Sequence, residues 1–207
     1  MARNAPQNGP HARHRDTPPS IYKVLALVDE SNLMGAARTF NRRLDWQLLR
    51  DYLIDPEEGR EPLEFVVYVG LPPSMPAYQE QREKKLKFVY WLRTNGFLVV
   101  TKDGSPTEDG RFKANVDVMM AIDGVALAAE MRPDIVVLVT GDSDFAHLAL
   151  TLRRRGIRVE VAAIAQTLGN ELRASANSII DLRELFNSFE GLRGDAQVIG
   201  SESVLDQ

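Results

Sequence analysis

From Tyr22 onward the chain alternates short, nearly unbroken apolar runs with longer stretches in which apolar residues recur three and four positions apart. The runs YKVLALV (22–28), LEFVVYVG (63–70), FLVVT (97–101), DIVVLVT (134–140) and IRVEVAAI (157–164) are of strand length and rich in branched aliphatic residues. They predict five buried strands, with SIIDL (178–182) a short sixth. Helical spacing predicts helices near 32–40, over 44–53 with Asp45 as its cap, and over 77–95 with Leu86, Val89, Tyr90 and Leu92 turned inward. Further helices are expected over 113–131, from Ser143 to a stop at Gly156, near 168–175, and as a last turn after the sixth strand, while KDGSPTEDGRF (102–112) reads as a loop. Strands that are apolar nearly throughout and alternate with helices are parallel strands covered on both faces. The expected fold is an α/β three-layer sandwich around a mostly parallel, Rossmann-like sheet.

The first 20 residues carry Pro, Gly, Asn, Arg and His without apolar periodicity, so they read as a flexible leader. One domain is expected over 21–187, followed by a flexible tail over 188–207. A chain of 207 residues with 44% hydrophobic residues is long enough for one well-buried core. No apolar stretch reaches membrane-spanning length, and the leader has no signal-like apolar centre, so a soluble, cytoplasmic protein without a membrane partner is expected. The absence of cysteine removes disulfides and thiolate metal sites. Two of the three histidines, His11 and His14, fall in the leader, which leaves oxygen donors and His147, and hence hard ions such as Mg²⁺ or Mn²⁺. The formal charge of −4 does not announce a nucleic-acid binder, yet the charge is uneven: RTFNRR (38–43), REKKLK (82–87) and RRRGIR (153–158) are basic. The bland reading of each run is a solvated helix face.

Acidic residues follow two strands directly: Asp29 after the first, and Asp142 and Asp144 after the fourth, in VTGDSDFAHL. Asp and Ser are good helix caps, so each strand end alone has an innocent reading. Ligands of an open parallel sheet, however, bind at the carboxyl ends of its strands. If these two strands are neighbours, the three carboxylates meet at one edge, where mutual repulsion would be reversed by a divalent cation. Within 113–131 Asp117 and Asp123 interrupt a helix that is apolar on almost every side and should therefore be buried. They lie roughly 120° apart around such a helix, so only one of them can serve the site. Asp117 is the expected site residue and Asp123 a supporting or capping one; Lys113, four residues before Asp117, has the innocent reading of an i,i+4 ion pair.

The strings LALVDESNL, KANVDVMMAID and VLVTGDSDFAHLALTLRRRGIRVEVAA, in that order, resemble the NYN domains of the PIN-like nuclease superfamily, and particularly its bacterial LabA-like branch, over about residues 22–186. The resemblance implies a metal-dependent ribonuclease. It implies that Asp29, Asp117, Asp142 and Asp144 form an acidic pocket holding Mg²⁺ or Mn²⁺, with Asn32 as a polar companion and Lys113 at the rim. Many family members carry Asp at the position of Asn177, so the neutral amide here touches the accessory part of the site.

Such a pocket would hydrolyse a phosphodiester with water as nucleophile. Ser143, between two acids, lacks a base and reads as a helix cap, and His147 reads as structural. Substrate grip falls to Arg38, Arg42 and Arg43, with Lys102 and Arg111 flanking the loop, as phosphate contacts with little sequence choice. Phe40, Trp46 and Phe112 are the aromatics suited to base stacking, and core positions suit each of them as well. Single-stranded RNA is the expected partner; its choice over DNA follows from the resemblance. A dehalogenase-type phosphatase lacks its second Asp after Asp29, a Toprim-type nuclease would want Glu at the first strand, and no Gly-rich dinucleotide fingerprint follows Val28. The competing reading is a non-catalytic regulatory scaffold that keeps the fold and binds RNA or a protein, with room for a homodimer and for protein partners on the charged tails.

Overall fold

The computed structural model describes residues 21–192, so the leader with His11 and His14, and the tail from 193, lie outside the described residues. Six strands, β1 (Tyr22–Asp29), β2 (Arg60–Leu71), β3 (Leu98–Asp103), β6 (Ile135–Val139), β7 (Arg158–Ala163) and β8 (Ser178–Asp181), form one sheet in the order β3-β2-β1-β6-β7-β8. Every neighbouring pair in that sheet is parallel. Two-residue strands β4 (Ser105–Pro106) and β5 (Phe112–Lys113) make a separate hairpin.

Period-two alternation along β1 divides the core. Val24, Ala26 and Val28 point to the layer of α1 (Glu30–Thr39), α2 (Trp46–Leu53), α3 (Gln79–Thr94) and α7 (Arg183–Ser188). Leu25 and Leu27 point to α4 (Asp117–Met131), α5 (Ala146–Arg154) and α6 (Asn170–Ser175). Both faces of the sheet are thus buried, which is why its strands read as continuous apolar runs. Trp46 is fully buried, against Phe88 and Phe97, and the half-buried Phe40 packs on Phe186, so both serve the core, while the half-buried Phe112 packs on Tyr78 beside the hairpin. Asp45 caps α2 as expected, accepting from the Leu48 N–H at 2.9 Å.

Four expectations change. On α3 the inner residues are Phe88, Val89 and Leu92, whereas Leu86 is 42% and Tyr90 71% exposed. The inward stripe runs through Lys85, Phe88 and Leu92, because Lys85 has a buried partner across the fold. The helix expected from 113 begins only at Asp117: Lys113 is held in β5 opposite Ser105, so it is not a helical neighbour of Asp117. Nor is α4 buried all round, since Val118 is 57% and Ile122 63% exposed. Beyond residue 187 the chain still packs: Phe189 is buried, and Leu192 N–H donates to the Asn41 carbonyl at 3.1 Å. No helix among the described residues is long and apolar enough to cross a membrane.

Candidate active site at the switch point

The chain leaves β1 towards β2 on one side and returns with β6 on the other, so the strand order reverses between β1 and β6. Helices diverge there and open a crevice at the carboxyl edge, the usual ligand position in an open parallel sheet. Asp29 ends β1, and Thr140 to Asp144 follow β6 into the same crevice.

Asp29 is buried, and it caps α1 rather than pointing to bulk water. Its Oδ1 accepts from the Asn32 N–H at 3.1 Å and the Ser31 hydroxyl at 2.9 Å. The buried Thr140 hydroxyl lies 3.5 Å from Asp29 Oδ2 and itself accepts from the Asp142 N–H at 3.2 Å, so one side chain ties the two strand ends together. Asn32 adds a second tie, since its Oδ1 accepts from the Gly141 N–H at 2.9 Å. Asp142 caps the short turn Ser143–Phe145 through the Asp144 N–H at 3.0 Å, which gives the capping role to Asp142 and not to Ser143. Asp144 is exposed at the mouth.

Asp117 enters from the first residue of α4, with its N–H donating to Asn115 Oδ1 at 3.3 Å. Partial burial raises its carboxyl above the ordinary carboxylate value, the negative charges of Asp29, Asp142 and Asp144 raise it further, and Lys113 pulls the other way. All four acids therefore share one electrostatic environment, with Lys113 at its rim. They do not form a closed cage: among the described residues no three acids or histidines converge tightly enough to enclose one ion. Asp123 instead stands beside the buried Tyr68 hydroxyl, which has no partner at hydrogen-bonding geometry. Burial, then the Asp123 charge, hold that phenol protonated well above its usual range.

The loop carrying Asp142 is clamped from behind. Gly169 N–H donates to the Gly141 carbonyl at 2.8 Å, and a Cβ on Gly141 would stand 2.7 Å from the Thr167 carbonyl oxygen. Backbone cannot swing aside as a side chain can. Gly141→Ala is expected to cost about 1–3 kcal/mol through overpacking, read as a lower midpoint in urea. An unchanged midpoint would mean that the loop yields freely and does not fix Asp142.

The other residues expected at the site separate into two groups. Lys113 is near the acids, whereas Arg111 is exposed and pairs with Asp109 at 2.6 Å. Arg38 lies in the last turn of α1, about 13 Å of helical rise from Asp29. Arg42 follows it and donates to the Phe189 carbonyl at 3.2 Å, and the Arg43 N–H donates to the Glu190 carbonyl at 2.9 Å. The structure does not bring Arg38, Arg42 or Arg43 to the acids; all three lie towards the opposite edge, where Arg42 and Arg43 hold the segment at Phe189 and Glu190. Asn177 is at that edge as well, pairing with the Val159 backbone through its own N–H and its Oδ1, both at 2.8 Å. Its amide extends the β7–β8 pairing. Sequence reasoning missed Thr140, which hides at the end of an apolar run, and the buried pair of Glu30 with Lys85 at 2.7 Å.

A family model described as NYN domain matches residues 23–183. No curated protein matches the chain significantly. Among solved structures, a protein of unknown function from Vibrio parahaemolyticus RIMD 2210633 is 22% identical and superposes with a TM-score of 0.61, covering 80% of this chain and 96% of its own. At that identity the likeness speaks for the fold alone.

Proposed function

Because the chain belongs to the NYN domain family, we propose that it is a metal-dependent ribonuclease, hydrolysing phosphodiester bonds of single-stranded RNA in the crevice of Asp29, Asp117, Asp142 and Asp144. The observation that carries this reading is geometric: Asp29 and Asp142 follow the neighbouring strands β1 and β6 and are tied through Thr140, and Asp117 opens α4 close enough that burial and then the charges of Asp29, Asp142 and Asp144 raise its carboxyl. A fold gains nothing from such crowding unless a cation relieves it. The donor set fits Mg²⁺ or Mn²⁺: every donor is oxygen, and these ions are commonly held by one or two carboxylates with phosphate and water completing the shell, without an all-protein cage. When bound, the ion supplies Lewis-acid chemistry, making water a better nucleophile at neutral pH and offsetting charge on the phosphoryl group.

The chain's own residues divide the rest of the work. Thr140 and Asn32 fix the spacing between Asp29 and Asp142, so Asn32 acts as a positioning residue. Asp142 and Asp144 face the open side, where a scissile phosphate would enter. Lys113 brings a cation to the rim and attracts the backbone. The resemblance of the motif strings supports reading the chain as one of the LabA-like branch, with cytoplasmic RNA as its substrate.

Labelled single-stranded RNA and matched DNA, incubated with Mg²⁺, Mn²⁺ or EDTA beside an Asp142→Asn variant, test the reading. Cleavage of RNA is expected with either ion, and neither in EDTA nor by the variant. Metal-independent cleavage, or cleavage surviving in the variant, would sink it. RNA bound without cleavage under either ion would favour the scaffold.

A further inference from the structure

A basic groove runs along the outside of α5 and plays no part in the acid crevice. It encloses about 650 Å³ and is lined by His147, Leu150, Arg153, Arg154, Ile157 and Arg158 among others. His147, Leu150 and Arg154 stand at i, i+3 and i+7, one face of the helix. His147, three residues beyond Asp144, marks the end of the groove towards the acids, none of which lines it. The groove's other end is the arginine cluster, about 10 Å of helical rise away.

The charge of this cluster is largely unmatched. Arg158 meets Glu160 at 2.8 Å, but Glu160 is shared with Arg60 at 2.9 Å. Arg153 donates to the Ser175 carbonyl at 2.8 Å and Arg154 to the Thr151 hydroxyl at 3.3 Å, and neither forms an ion pair among the described residues. Arg155 beside them is likewise anchored on a neutral group, the Val125 carbonyl at 3.2 Å. A guanidinium carries five N–H donors in a planar fork. One neutral contact steadies each fork and leaves donors for an anion, and phosphate is the anion that the fork matches in pairs. The chain as a whole is acidic, so this concentration of positive charge is local. Leu150 and Ile157 add apolar surface suited to ribose and bases rather than to a free inorganic ion.

We propose that this groove is the track of the RNA strand outside the acid crevice, with Arg153 and Arg154 each taking a backbone phosphate and His147 bridging the two regions. The proposal rests on reading the crevice as the RNA-cleaving site. It assigns the substrate grip to Arg153 and Arg154, which like Arg38 stand a helix length from the acids but line a groove that also holds His147, three residues beyond Asp144.

Binding of short and long fluorescent oligouridylates to the full chain, measured by anisotropy in EDTA over a series of salt concentrations, tests it without cleavage. For Arg153→Gln/Arg154→Gln, the long oligomer is expected to bind more weakly. The slope of log affinity against log salt should fall by about 1.4, at ~0.7 for each of two phosphates on a single strand. Arg154→Gln alone, which gives up only a contact to Thr151, should show about half that change and guards against a folding defect in the double variant. Unchanged affinity and slope in both variants would overturn the track, as would a groove-dependent preference for polyglutamate over the oligouridylate. Groove-dependent RNA binding by a protein that cuts no RNA with Mg²⁺ or Mn²⁺ would instead remove the ribonuclease reading and leave the groove as an RNA site.

Discussion

Lys85→Met is expected to destabilise the fold by about 3–5 kcal/mol, the usual cost of stranding one member of a buried ion pair. Glu30 is 3% exposed, and its carboxylate meets Lys85 Nζ at 2.7 Å. Methionine matches the lysine stem in length and flexibility and so preserves most of the packing on Phe88, above whose ring the ammonium sits at 5.3 Å. What remains is a charge buried without its counterion. Glu30 is also the first residue of α1, where the helix dipole favours an anion, so the lower part of the range is expected. Adding Glu30→Gln to the same chain should recover most of the loss, because the stranded charge goes with it. Urea unfolding of the parent, the single and the double variant reads both steps. A single variant within 1 kcal/mol of the parent would mean that water reaches Glu30 and that the pair behaves as a surface one.

For Asp117→Asn, opposite changes are expected in stability and activity. The folded carboxyl titrates above its ordinary value of 3.8, because burial and then the charges of Asp29, Asp142 and Asp144 oppose its ionisation. Below that ordinary value the acid is protonated folded and unfolded, and nothing is lost. As pH rises from there through the raised folded value, the unfolded chain releases its proton more readily, and the parent progressively loses stability. Asparagine has no such loss. In EDTA at neutral pH the variant should therefore melt above the parent, and the gap should close on acidification. Cleavage should fall roughly 10²–10³-fold, the scale for removing one preorganised electrostatic group from a reacting centre. Mg²⁺ should raise the melting temperature of the parent more than that of the variant, since a ligand that binds only the folded state stabilises it. A variant that melts at or below the parent in EDTA would show that the four acids do not repel one another as inferred.

The strands were the most legible elements, because parallel strands buried on both faces leave unbroken apolar runs such as Ile135–Val139. Their order was not legible: periodicity tells which residues are buried but not which strand lies beside which, and the meeting of Asp29 with Asp142 depends on β1 and β6 being neighbours. The start of α4 was misplaced because residues 113–116 have helix-compatible spacing while a hairpin to Ser105 holds Lys113 extended. Lys85 belonged by composition to an exposed basic run, and its partial burial is explained only by a buried glutamate 55 positions earlier. Charge near an acidic motif in sequence proved a poor guide to charge near it in space. Arg38, Arg42 and Arg43 are a helix length away, and the run at 153–158, which had no assigned destination, lies at the far end of α5 in a groove with His147.

The seating of β6 between β1 and β7 also fixes when the crevice can exist during synthesis. A ribosome delivers β1, β2 and β3 first, and these can pair while the β6 edge of β1 is still bare. Asp29 then lacks Thr140, the hydroxyl 111 positions later that links it to Asp142. Contacts of such long separation form late. A nascent chain therefore has no assembled acid cluster until Thr140 and Asp142 have emerged.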